Sequence, residues 1–206
     1  RVASGVTALL FELVPEERLW PLLLDALARI GEGELRQTII GALRRRLAGN
    51  PALLSQTLAS PDPTRVRTAL GLLDERIERL FTRELVGLAS HPDESIRIKG
   101  LAAASRFGGE EAIETLWKAM GGDPSKSVRL FAFRAIATAR FPGIAARLET
   151  LIASPQFAER PVWEREKYIR LLGTVAGAAA IPLFESWLPN RKWLWQPKDF
   201  EMLELA

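Results

Sequence analysis

Arginine supplies the cationic side-chain chemistry that this sequence repeats. Arg45, Arg76 and Arg106 follow one another at intervals of 31 and 30 residues, each nine positions after a further arginine, Arg36, Arg67 or Arg97. A guanidinium holds five N–H donors in a fixed fork and stays charged at physiological pH, so a recurring arginine suits the binding of carboxylates or phosphates rather than proton transfer. Lys99 and Arg134 stand two and five positions after Arg97 and Arg129, and helical rotation turns those offsets to the same side as the ninth. Where repeats stack at about 10 Å, such cations form a stripe for an acidic protein segment or a phosphate backbone. A second candidate set lies in SWLPNRKWLWQPKDF, where Trp193 and Trp195 stand beside Arg191 and Lys192. Aromatics interleaved with cations stack on bases, anchor a protein partner, or fill a gap between helices.

Other chemistries are excluded by the residue types. There is no cysteine, hence no disulfide, no thiol nucleophile and no Cys-based zinc site. The single histidine, His91, precedes Pro92 and reads as a surface turn residue, with no second histidine to complete a metal site and no orienting partner for a Ser-His-Asp set. GGDPSKS from Gly121 lacks the glycine before lysine that a phosphate-binding loop needs, and GTVAG from Gly173 lacks the glycine spacing of a dinucleotide fingerprint. No catalytic residue, metal or cofactor is expected.

The elements that must carry the arginines follow from periodicity. HPDESIRIKGLAAA and DPSKSVRLFAFRA superpose with Ile96-Arg97 on Val128-Arg129, Gly100 on Ala132 and Ala103 on Ala135. The frame also fits Leu35-Arg36, Val66-Arg67 and Ile169-Arg170, with arginine steps of 31, 30, 32 and 41, so the long step predicts an insertion at 154–164. Apolar residues at −1, +3, +6, +7 and +10 from the arginine fall on one helical face, and a shorter apolar helix such as EAIETLWKAM precedes each. Breakers such as Gly49-Asn50-Pro51 and Pro61-Asp62-Pro63 separate the pair, and no alternating pattern competes. Small residues at +3 and +6 allow close helix approach. Asp62, Asp93 and Asp123, four to six residues before an arginine, are placed to cap the second helix or meet a guanidinium, which gives Arg67, Arg97 and Arg129 a turn and packing role.

An Asp-Pro turn, then Val-Arg, then spaced small residues resembles the HEAT-repeat family, in particular short bacterial repeats of the phycobilisome-lyase-like type. The resemblance is clearest over 35–176. It implies an all-α fold, a right-handed α-solenoid of stacked antiparallel helix pairs in about five or six repeats whose second helices line the inner face. The expected organisation is a single solenoid domain, 1–206, with a Trp-rich loop at 187–198. Arg1 and the uncapped FEMLELA read as the ends of a piece cut from a longer chain.

With 206 residues, 48% hydrophobic and 26% charged, the chain is expected to be a soluble globular protein of the cytoplasm. GTVAGAAAIPLF is too short to span a bilayer and contains Pro182, so no membrane partner is expected. Basic residues gather in the second helices while first helices such as EEAIETLW are acidic, which gives the array a basic side although net charge is only +3. The reading is a non-catalytic scaffold that presents Arg45, Arg76, Arg106, Lys99 and Arg134 to an acidic protein segment or a neighbouring domain, with nucleic acid as the alternative partner. Some HEAT-like solenoids are alkylpurine DNA glycosylases, but Trp117 and Trp163 do not share a repeat with Asp74, Glu75 and Glu78, and bilin attachment has only the shared motif behind it.

Overall fold

A computed structural model describes residues 14–107, 109–139 and 141–187, and every regular element among them is helical. The chain divides into two compact units, 1–128 and 129–206. The first unit holds α1 (Glu16–Arg29), α2 (Glu34–Gly49), α3 (Pro51–Leu58), α4 (Pro63–Leu72), α5 (Glu75–Leu80), α6 (Thr82–Gly87), α7 (Glu94–Phe107) and α8 (Glu110–Gly122). The helix α9 (Lys126–Ala139) begins at its end, and the second unit continues with α10 (Ile144–Ile152), α11 (Val162–Ala176) and α12 (Ile181–Trp187).

Within the first unit the second helices α4 and α7 pack on each other, as do the first helices α3 and α6, which is the stacking that a repeat array requires. The buried face of α7 is Ile96, Gly100, Leu101, Ala103 and Ala104, so the frame drawn from spacing is also the frame of burial there. Gly100 is indispensable to this packing. A Cβ at that position would collide with the backbone of Ala89 and lie 2.6 Å from the Leu88 carbonyl carbon, in the 3-10 turn Leu88–Ser90 that ends the first helix.

The frame fails at both ends of the array. Leu35, expected on the buried face of α2, is 46% exposed, and burial begins one turn later at Ile39, Ala42 and Leu43. In α11 the buried residues are Glu164, Arg165, Tyr168, Leu171 and Leu172, so Arg165 holds the position expected of Arg170, whose side chain is 73% exposed beside Glu166. Glu164 stands where other repeats have Leu, Val or Ile, and this polar residue at an apolar position hid the true register. Within the segment 154–164, expected as an insertion, a 3-10 turn, Pro155–Phe157, buries Phe157 edge-on to Tyr168, which in turn meets Phe133 of α9 edge-on, and residues from Val162 onward already belong to α11.

By length and composition alone one helical stretch among the described residues, 162–186, is long and apolar enough to cross a membrane. It is not one straight rod. Gly177 takes a positive φ of 56°, a 3-10 turn covers Gly177–Ala180, and the Phe184 ring returns to 3.6 Å from where a Cβ of Gly173 would stand. Eleven residues of unbroken helix would set those two positions about 16 Å apart along the axis.

Candidate partner-binding groove

Motif arginines and their acids are joined between repeats. Two of the aspartates cap their own helix, Asp62 Oδ1 accepting from Thr64 N at 2.9 Å and Asp93 Oδ1 from Ile96 N at 3.2 Å, whereas Asp123 Oδ1 accepts from Ser125 N at 2.8 Å in the turn before α9, where Ser125 Oγ accepts from Val128 N. The arginine that follows reaches the next repeat. Arg97 donates through Nε and Nη2 to the two carboxylate oxygens of Asp123 at 2.8 and 3.0 Å, and its Nη1 donates to the His91 and Pro92 carbonyls. The pair is nearly dry, at 12% and 7% side-chain exposure. Arg67 meets Asp93 more loosely at 3.7 Å, and in the second unit Arg129 lies 3.0 Å from Glu164. Arg36 reaches back instead, donating to the carbonyls of Leu27 and Ile30 at the end of α1.

His91 is not a surface turn residue as its Pro neighbour implied. It is buried, its Nδ1 accepts from Asp93 N at 3.0 Å, and its carbonyl accepts from Arg97, so the ring is part of the turn that launches α7. Its Nε2 is buried without a hydrogen-bond partner among the described residues. Asp93 in the same turn is held below the usual carboxylate range, first by the hydroxyl of Ser95 and then by the Ile96 amide and the charge on Arg67.

The cations proposed as a column are arranged differently from one another. Arg45 is exposed on α2, Lys99 and Arg106 are exposed on α7, and Arg134 is exposed on α9 in the second unit. Arg76 is on α5, and its side chain is outside the described residues. The second helix of that repeat stops at Leu72; Asp74 then starts α5 by accepting from Ile77 N at 2.9 Å, so the nine-residue offset from Arg67 crosses from one helix to the next rather than following one helix face. Trp193, Trp195, Arg191 and Lys192 lie outside the described residues.

What the first unit brings together is a groove of about 740 Å³ between α4, α5 and α7. Arg67 enters from α4, Lys99 and Arg106 from α7, and the floor between them is apolar, with Leu70, Leu85, Ala102 and Ala103. Glu78 of α5 also lines it and meets Arg106 at 2.7 Å, with 20% of the glutamate side chain and 54% of the arginine exposed. The Arg106 guanidinium further rests 5.5 Å from the Phe107 ring centroid. Glu78 was not found by repeat arithmetic; the signal for it was Asp74, a strong helix-starting residue in the middle of what looked like one long helix. Among the described residues no group of His, Asp and Glu side chains is arranged to hold a metal ion.

Comparison with known proteins agrees with this architecture. Residues 50–137 match the family of HEAT repeats, the segment that contains the pairs α3/α4 and α6/α7 and the groove. No curated protein and no solved structure matches the chain. The all-helical fold with stacked first and second helices is that of an α-solenoid.

Proposed function

We propose that this protein is a non-catalytic interaction scaffold whose second-helix surface receives an acidic segment of another protein or of a neighbouring domain. The observation that carries this reading is the groove, where cations from two successive repeats, Arg67 on one side and Lys99 and Arg106 on the other, converge over an apolar floor. Cations at a rim set on-rate and register while apolar contact holds the complex, which is how a stacked array converts many weak contacts into recognition. Arg45 on α2 is a further exposed cation on a second helix of the first unit, and Arg134 on α9 is one in the second unit.

The experiment is a nuclease-treated pull-down with wild type and with a Lys99→Glu, Arg106→Glu variant of unchanged melting temperature, followed by titration of the identified protein at rising salt. The reading expects a protein lost only from the variant, with affinity that persists at salt concentrations that abolish phosphate binding. Retention of nucleic acid alone, with a steep salt slope, would replace it by a nucleic-acid-binding function.

A further inference from the structure

The groove already contains one carboxylate, and its position defines what the partner must bring. Glu78 comes from α5 and sits on Arg106 of α7 at 2.7 Å, an ion pair made across the groove between adjacent repeats. Lys99 is seven residues before Arg106 on the unbroken helix α7. Seven residues advance about 10.5 Å and return to within about 20° of the starting direction, so the two cations stand on one side of the helix, two turns apart. Ala102 and Ala103 floor the space between them, faced by Leu70.

We propose that the occupant of this groove is an acidic protein segment in polyproline-II conformation with carboxylates three residues apart, one on Lys99 and one on Arg106 in the place that Glu78 now holds. The proposal rests on the reading of the groove as a docking surface and specifies its ligand. A polyproline-II chain rises about 3.1 Å per residue with three residues per turn, so residues i and i+3 project to the same side about 9.3 Å apart, close to the cation spacing. A β-strand repeats its side every second residue, about 6.8 Å, and sends i+3 to the opposite face. An α-helix places i and i+7 about 10.5 Å apart on one side, so a helical peptide is the competing form that the test must separate. The two residues between the acids meet alanine and leucine, which favours small apolar residues or proline there. Glu78 is then a resident competitor: it keeps Arg106 oriented and neutralised in the free protein and leaves when a ligand carboxylate replaces it.

The test is fluorescence anisotropy on the 206-residue chain with labelled peptides of matched charge: glutamates at i and i+3 in a proline frame, glutamates at i and i+2, and an alanine-based helical peptide with glutamates at i and i+7. The i, i+3 peptide is expected to bind tightest, Lys99→Gln and Arg106→Gln to weaken it, and Glu78→Gln to tighten it by about two- to fivefold, the range of an exposed ion pair. Glu78→Gln and Arg106→Gln break the same internal pair, so a merely structural role for it would shift both in one direction. An unchanged or weaker affinity in Glu78→Gln, or a preference for the helical or i, i+2 peptide, overturns the proposal. If all acidic peptides bind alike and lose binding with Lys99→Gln and Arg106→Gln, the groove stands as a docking surface and its specificity falls; if none binds, both fall.

Discussion

At the scale of single residues, burial decides which arginines hold the fold and which are available. Arg97 and Asp123 form a bidentate, nearly dry pair, whereas Arg79 and Glu75 pair at 2.8 Å in full view of solvent. Removing one member of a buried pair leaves an uncompensated charge, so Asp123→Ala is expected to lower unfolding free energy by about 3–5 kcal/mol, against less than about 0.5 kcal/mol for Glu75→Ala, as read by urea denaturation. Arg97→Lys gives up the fork that serves the carboxylate and two carbonyls and is expected to fall near the first value. Asp93 supplies a pH dependence. Its folded-state pKa lies below the ordinary carboxylate value, so the stability it contributes is complete above that value and is lost as pH falls through the depressed one. Urea midpoints measured between about pH 5 and pH 2 are expected to fall less steeply for Asp93→Asn than for wild type.

At the scale of elements, small residues decide how closely helices approach. Gly100→Ala places a methyl against the Leu88–Ala89 backbone and is expected to cost at least about 1–3 kcal/mol, while Gly71→Ala, in α4 with open space around it, is expected to gain about 0.5 kcal/mol from helix propensity. Melting curves of the two variants should move in opposite directions. Asp74→Ala removes the side chain that starts α5 and is expected to cost about 1 kcal/mol and to loosen the wall that carries Glu78. These elements also mark how far the sequence could be read. The Val-Arg-small-small frame predicted the buried face of α7 because both its spacing and its residue types were apolar and regular. It missed the register of α11 because Glu164 and Arg165 are buried as a charged pair of neighbours, against the rule that buried positions are apolar. It read α4 and α5 as one helix because Leu70, Leu73 and Ile77 keep helical spacing across a break that only Asp74 announces. The groove was legible only in part: its cations lay in the repeat, but Glu78 and the link from Arg67 to Asp93 are tertiary, set by stacking that no single repeat contains.

At the scale of the whole molecule, stability and recognition use the same residue type in different places. The motif arginines Arg67 and Arg97 fasten one repeat to the next, and Lys99 and Arg106 farther along α7 line the groove that Arg67 also borders, so the joint between repeats and the candidate docking surface share one helix and one arginine. Because α7 contributes to both, a docked segment would span the joint between two repeats, and binding is expected to raise the melting temperature of the chain with the logarithm of ligand concentration above Kd. The most direct measurement of the central claim is the affinity of purified wild type and of the Lys99→Glu, Arg106→Glu variant for an acidic peptide and for a DNA duplex, across a salt series. The account predicts that the peptide binds wild type, that binding survives moderate salt, and that the variant loses it with its melting temperature unchanged. Equal peptide affinity in the two proteins, or binding of the duplex alone, would contradict it.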